Sequence, residues 1–346
     1  MIRLHRDRTQ NYNNIFDHTS GIAARWSFNN NDLFWREAGP ELLDISITNY
    51  CERECEFCYR NAKRQGDFME LSLYENIIRQ AEKIGVQQIA LGGGNPNQHP
   101  DFVKFLKIAR EHHIVASYTT NGQGMTEEIY QATKMYGGAV AVSWYTPFSN
   151  PINVIEECGR HKITANIHFV LHKKSLLNAI ELFQSKEIPW SYLNAIIFLN
   201  YKPLGLKIFE GLKDDESFDA FLKQAITFEK CKIGFDSCMI SWLMKKKEWI
   251  AQESIDFCEA GRFSAFVSEK GFVYPCSFLC ENTLCGESIK EKSLVDIWQN
   301  GSAFIKMRHS LSRPARQKTP IQKCTDCADY DLCHGGCQEF EINRCV

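Results

Sequence analysis

Three cysteines, Cys51, Cys55 and Cys58, stand in a C-x3-C-x2-C spacing directly after the strand-like run Leu42–Thr48. Thiolates favour soft metals and iron–sulfur clusters. The triplet is one thiolate short of a closed four-cysteine site. A four-iron cluster held this way keeps one iron open to another molecule, which makes the site chemical rather than structural. A zinc loop is the plain alternative. A second set lies far downstream: Cys258, then twelve residues, Gly271, four residues and Cys276, followed by Cys324-x2-Cys327-x5-Cys333-x3-Cys337 and an isolated Cys345. Cys-x2-Cys pairs also suit zinc, so the tail alone leaves both metals open. Between the two sets runs Gly92-Gly93-Gly94-Asn95-Pro96, where glycine suits a backbone that must come close to a ligand. Cys158 and Cys231 fit no pattern and read as buried thiols.

The elements that must position these residues alternate in type. A helix is predicted from Ser72, with Glu75 completing a capping box, Ile77, Ile78, Ala81 and Ile84 on one face and Gly85 ending it. Strand 88–91 leads into the triple glycine and a helix over 101–112. Strand 114–118 leads into Thr119-Thr120-Asn121-Gly122 and a helix over 126–135. Further strand–helix pairs follow at 139–143 and 152–158, at 163–169 and 175–183, and at 195–199 and 215–228. Six β-α units in series imply a parallel sheet with right-handed crossovers. Six are too few for the closed eight-stranded form, so the expected fold class is α/β, a partial (β/α)6 TIM-type barrel. In parallel barrels ligands bind at the C-terminal edge of the strands. The cysteine loop, the glycine loop and the Thr-Thr-Asn-Gly loop follow consecutive strands, so all three should meet on one face.

Outside this repeat, residues 1–38 read as an irregular leader packing on the core. Alternation stops near Lys230, and 231–346 reads as a small cysteine-rich α+β domain. It should hold a hairpin around Lys270-Gly271 and a helix over 293–299. The assigned domains are thus 1–38, 39–230 and 231–346. Lys245, Lys246 and Lys247 read as a solvated helix face and His334 as an exposed loop residue. Asp44, on the first strand, is either a proton acceptor inside the barrel or a buried structural carboxylate.

Composition excludes several classes. The chain has 346 residues, 44% hydrophobic and 24% charged, with a formal net charge of −2 and no concentrated basic block, so nucleic acid is not expected as a partner. No apolar run reaches membrane-spanning length and the N-terminus lacks the apolar core of a signal peptide, so a cytoplasmic protein is expected. Fifteen cysteines in that compartment point to metal or cluster ligation rather than disulfides.

The triplet, with Phe57 just before its third cysteine, resembles the signature of the radical S-adenosylmethionine (SAM) enzymes. The resemblance implies that Cys51, Cys55 and Cys58 hold a [4Fe-4S] cluster whose open iron binds SAM. One-electron cleavage then yields a 5′-deoxyadenosyl radical. It further implies that Phe57 packs on the adenine and that Gly92, Gly93, Gly94 and Asn95 meet the amino group. Asn95 stands where an acid is usual and could accept only an uncharged hydrogen bond. Asn121, Ser143 and Asn166 would contact ribose and carboxylate. The downstream cysteines resemble the full seven-cysteine SPASM pattern of peptide-modifying members. The implied auxiliary [4Fe-4S] clusters are a nearer one on Cys258, Cys276 and Cys337 and an outer one on Cys324, Cys327, Cys333 and Cys345. Cys238 is the first candidate for the nearer cluster's fourth ligand, with Cys280, Cys285 or an open iron as alternatives. Sulfatase-maturating members carry an acid where this chain has Ser277, which leaves the acid–base residue unassigned.

The expected function is a radical SAM oxidoreductase that modifies a peptide or protein by a crosslink, a thioether or a related side-chain change. It would use SAM, three [4Fe-4S] clusters and an electron donor such as a flavodoxin or ferredoxin. A radical SAM enzyme acting on a small molecule is the competing reading. A non-catalytic zinc or iron–sulfur binding protein is the alternative from another class.

Overall fold

The computed structural model describes residues 2–8, 10–18, 22–28, 34–250, 255, 257–280, 286–312, 324 and 327–337. Its larger sheet has ten strands in the order β10-β9-β8-β7-β6-β5-β4-β11-β12-β13. The run from β4 to β10 is parallel and pairs in sequence order: β4 (Leu42–Thr48), β5 (Gln88–Gly93), β6 (Val115–Thr120), β7 (Gly137–Ser143), β8 (Ala165–Leu171), β9 (Leu193–Asn200) and β10 (Lys232–Phe235). The intervening helices are α1 (Leu71–Lys83), α2 (Phe102–Glu111), α3 (Glu127–Tyr136), α4 (Ser149–His161), α5 (Leu176–Gln184) and α6 (Glu216–Ile226). The six expected β-α units are all present, and the sheet does not close.

Alternation along each strand sets two faces. Leu43, Ile45 and Ile47 of β4, Ala116 and Tyr118 of β6, Val140 and Val142 of β7, and Ile167, Phe169 and Leu171 of β8 are buried in one core with the helices. Their neighbours Asp44, Ser46, Ser117, Thr119, Ser143, Asn166 and His168 therefore face the lumen. Helix ends follow local chemistry. Thr126 caps α3 by accepting from the Ile129 amide, and Asp215 caps α6 through the Ser217 and Phe218 amides. Gly85 has φ +75° just past α1. The capping box expected at Ser72 does not form, because α1 starts at Leu71 and its cap, Glu70, makes no side-chain bond.

Two parts of the sheet depart from expectation. β10 adds a seventh parallel strand beyond residue 230; four residues with no long apolar run gave little to read. On the other edge, β11 (Ser264–Val267) pairs parallel with β4, and its hairpin partner β12 (Phe272–Tyr274) and β13 (Glu287–Ser288) continue antiparallel. The hairpin turns at Gly271, φ +84°. The cysteine-rich region thus shares a sheet with the barrel.

The leader is not irregular. β1 (Ile2–Asp7), β2 (Tyr12–Asp17) and β3 (Ala23–Trp26) form an antiparallel sheet. Its polar composition hid it: Tyr12 and Phe16 are buried, and so are Asn13 and Asn14. It docks on the N-terminal edge of the main sheet, where Arg25 bridges Glu41 at 2.8 Å and Glu259 at 2.7 Å.

Downstream lie α7 (Ile240–Lys245), α8 (Leu294–Asn300), α9 (Ser302–Leu311) and a helical turn over Tyr330–Cys333. The three lysines are not simply solvated. Lys245 and Lys246 reach Asp214, Lys246 also reaches Asp219, and Lys247 reaches Asp329. No helix among the described residues is long and apolar enough to cross a membrane.

Candidate active site

The three loops after β4, β5 and β6 are joined by hydrogen bonds at the C-terminal mouth. The Gly94 amide donates to the Thr48 carbonyl at 2.7 Å and the Asn95 amide to the Tyr50 carbonyl at 2.8 Å. Asn121 Nδ2 donates to Cys51 Sγ at 3.5 Å. Gly93, at φ +109°, and Gly94 lie so close to β4 and the cysteine loop that a Cβ would collide with the Thr48 and Tyr50 carbonyls respectively. At Gly92 a Cβ would meet nothing within 4 Å, so the glycine loop keeps its open face there.

Asn95 takes another part than expected. Its Oδ1 accepts from Thr120 Oγ1 and the Asn121 amide, each at 3.1 Å, and its Nδ2 donates to the Gln123 carbonyl at 2.9 Å. The side-chain oxygen expected to face an ammonium is already engaged in locking two loops together. Asn166 is also displaced from its expected position. As the second residue of β8 it sits at the strand's N-terminal edge, where Asn194 donates to it at 2.8 Å. Ser143 is paired instead with His168. Burial pushes the His168 pKa down to about 4, so the ring is neutral, and Thr119 Oγ1 lies 3.5 Å from Nδ1.

Within the triplet, Cys51, Cys55 and Cys58 lie in electrostatic reach of one another. Arg53 Nε donates to Cys55 Sγ at 3.2 Å, and the Arg60 and Ala62 amides donate to Cys58. Phe57 lies 5.2 Å from Tyr145 and lines, with Arg53, Trp144 and His172, a cleft of about 690 Å³.

A second group of sulfurs gathers beyond the mouth. Cys238 and Cys276 each lie in electrostatic reach of Cys258 and Cys337, which are in reach of each other, although the four come from separate segments. Burial pushes the Cys258 thiol up to about 11 and the Cys276 thiol up to about 12, with neighbouring cysteines adding to it. Cysteine sulfurs gathered from separate segments are the donor set that soft metals and iron–sulfur clusters take. Both sulfur groups therefore fit iron–sulfur ligation. Cys280 packs on the same small apolar cluster as Cys258 and Cys276 but is hydrogen-bonded to Arg60 and the Tyr274 hydroxyl. Cys324 and Cys333 are buried and Cys327 half-buried, while Cys285 and Cys345 lie outside the described residues.

The two groups are bridged. Tyr59, next to Cys58, shares a hydrogen bond with Ser277, and its ring lies 4.6 Å from that of Phe278, two residues past Cys276. Arg60 is buried and paired with Glu269 at 2.9 Å, and Glu269 accepts from Ser46 of β4. Sequence reasoning missed this buried pair, as well as Lys202 and Asp236, which pair at 2.9 Å beside Cys238. His334 is also buried rather than exposed, with Tyr330 at 5.7 Å and Phe34 at 5.9 Å.

The family model of the Radical SAM superfamily matches residues 45–202. The SPASM model, an iron-sulfur cluster-binding domain, matches residues 258–328. The chain is 22% identical over 333 residues to the mycofactocin maturase MftC of Mycobacterium tuberculosis, covering 86% of this chain and 78% of that protein. Its fold is similar to that of Streptococcus suis SuiB bound to S-adenosylmethionine, with a TM-score of 0.70 and 19% identity over 87% of this chain and 73% of SuiB. SuiB bound to the precursor peptide SuiA superposes equally, with a TM-score of 0.70 and 20% identity over 87% and 72% of the two chains.

Proposed function

Since the chain belongs to the radical SAM superfamily and carries a SPASM iron–sulfur domain, we propose that it oxidatively modifies a peptide or protein, making a crosslink, a thioether or a related side-chain bond. The observation that carries this reading is the bridge between the two sulfur groups. The Cys51/Cys55/Cys58 loop and the Cys238/Cys258/Cys276/Cys337 group share one side of the sheet, linked through Tyr59, Ser277 and Phe278. An enzyme that both creates a substrate radical and removes an electron from it needs such a pair of sites. The likeness to MftC, named a maturase, and to SuiB, solved with a precursor peptide, supports a peptide as substrate.

The residues divide as follows. Cys51, Cys55 and Cys58 hold the radical-generating [4Fe-4S] cluster, with Arg53 and Asn121 donating to its sulfurs. Cys238, Cys258, Cys276 and Cys337 hold a nearer auxiliary cluster, and Cys324, Cys327, Cys333 and Cys345 an outer one, three in all. Once bound, the first cluster and SAM supply the 5′-deoxyadenosyl radical. Phe57 and the open face at Gly92 receive the SAM, and the polar lumen beneath, with Ser143 and His168, receives its ribose and the reacting side chain. A flavodoxin or ferredoxin delivers the first electron, and a cytoplasmic location suits such a donor.

The test is 5′-deoxyadenosine release from anaerobically reconstituted protein given SAM and dithionite, with and without synthetic peptides made from whatever short reading frames neighbour this gene. Expected are release that Cys58→Ala abolishes and a peptide product lighter by two hydrogens. Iron-replete protein that releases nothing with or without peptide would refute the radical reading. Release with no change in any peptide would refute the peptide.

A further inference from the structure

Lys202 follows β9 by two residues, and its side chain is 2% exposed. An ammonium buried to that degree needs partners. It donates to Asp236 Oδ2 at 2.9 Å and to the Cys238 sulfur, and Nζ stands 4.5 Å over the Phe278 ring. The Asp236 carboxylate at 2.9 Å is the countercharge that lets an ammonium stay buried there. Asp236 is itself fixed: Oδ1 accepts from the Cys238 amide at 3.0 Å and Oδ2 from the Asn200 amide at 2.9 Å. The carboxylate therefore cannot swing, and it aims the ammonium at the sulfur group. Of the other charges facing this group, Arg262 and Glu259 act on Cys258 and Asp236 acts on Cys238, whereas Lys202 acts on both Cys238 and Cys276.

We infer that Lys202 is a positioning residue that raises the reduction potential of the nearer auxiliary cluster, with Asp236 holding its ammonium against the Cys238 sulfur. This rests on the reading that Cys238, Cys258, Cys276 and Cys337 bind an iron–sulfur cluster. Reduction adds one electron to the sulfur-ligated site. A fixed positive charge and a hydrogen bond to a ligand sulfur both stabilise the more negative, reduced form. The same charge makes the site a better acceptor for an electron leaving the substrate.

The experiment is a dithionite titration followed by electron paramagnetic resonance, on protein in which Cys51, Cys55 and Cys58 are all replaced by Ala so that only auxiliary signals remain. Lys202→Gln is expected to lower the ratio of reduced to oxidised nearer cluster about tenfold at a fixed potential, a shift of about 59 mV for one electron. Lys202→Arg keeps most of the parent value, Asp236→Asn falls between, and the outer cluster's potential stays put. An unchanged midpoint in an iron-replete Lys202→Gln protein overturns the inference and leaves the cluster reading standing. Loss of that cluster's iron from Lys202→Gln but not from Lys202→Arg makes the charge structural, and overturns it too. A parent protein with no auxiliary signal overturns the cluster reading and the inference together.

Discussion

Asp44 lies on the lumen face of β4, and burial first, then Glu259, pushes its carboxyl up to about 7. An unfolded aspartate titrates near ~3.9. The folded chain therefore binds this proton more tightly than the unfolded chain. The stability that Asp44 contributes is fully present below the unfolded value and is lost as pH rises through about 7. The order of the effect is up to about 4 kcal/mol. Asp44→Asn mimics the neutral acid, so its thermal midpoint should pull ahead of the parent's as pH rises from 5 to 7 and hold a constant lead above that, by several degrees. A lead that does not change with pH would mean that Asp44 titrates alike in both states. The sequence placed Asp44 on the first strand but left open whether the lumen or a core received it. His168 was missed altogether. Its signal was the alternation Asn166, His168, Val170, which only the true start of β8 at Ala165 turns into a position level with Ser143.

At the scale of elements, the glycine loop separates two kinds of constraint. Gly94 is required by the cysteine loop it touches, whereas Gly92 leaves room where a ligand could sit. Gly94→Ala should push the loop away from Tyr50, break the hydrogen bonds of Gly94 and Asn95 to the cysteine loop and lower iron at the triplet. Gly92→Ala should retain full iron and fold, yet weaken SAM binding about tenfold, or about 1.4 kcal/mol. Iron analysis with calorimetric SAM titration reads both. Equal iron loss in the two variants would show that the loop has no ligand face. The serial β-α units were legible because each strand is an apolar run flanked by helical periodicity. β10 was not, because its four exposed or half-buried residues are held by pairing with β9 rather than marked by their own composition. The leader sheet was hidden in the same way, with Asn13 and Asn14 buried beside Tyr12. The Cys238 to Cys337 group was only partly legible. Spacing names the cysteines, but their convergence depends on β10 carrying Cys238 to the same side as the β11–β12 hairpin.

At the scale of the whole molecule, the boundary read near residue 230 divides the chemistry but not the sheet. β11 pairs with β4 residue by residue, Ser264 with Leu42 through Val267 with Ile45. The hairpin's Glu269 neutralises the buried Arg60 guanidinium just past the cysteine loop. A chain ending at Lys230 would therefore lose β10 from one edge, uncover β4 at the other and remove Glu269, Cys280 and Phe266, the groups that hold and cover Arg60. A bare apolar edge strand invites intermolecular pairing. Such a chain is expected to aggregate and to take up little iron even though Cys51, Cys55 and Cys58 are intact. In the full-length protein, Glu269→Ala should lower the thermal midpoint and reduce iron at the triplet without touching any cysteine, while Glu269→Gln, which keeps a hydrogen-bond acceptor, should do less of both. A monodisperse, iron-loaded 1–230 fragment would show that the barrel folds alone and that the cysteine-rich region is an appendage. Its failure, together with an intermediate Glu269→Gln, would show that the cysteine loop depends on the cysteine-rich region for its shape.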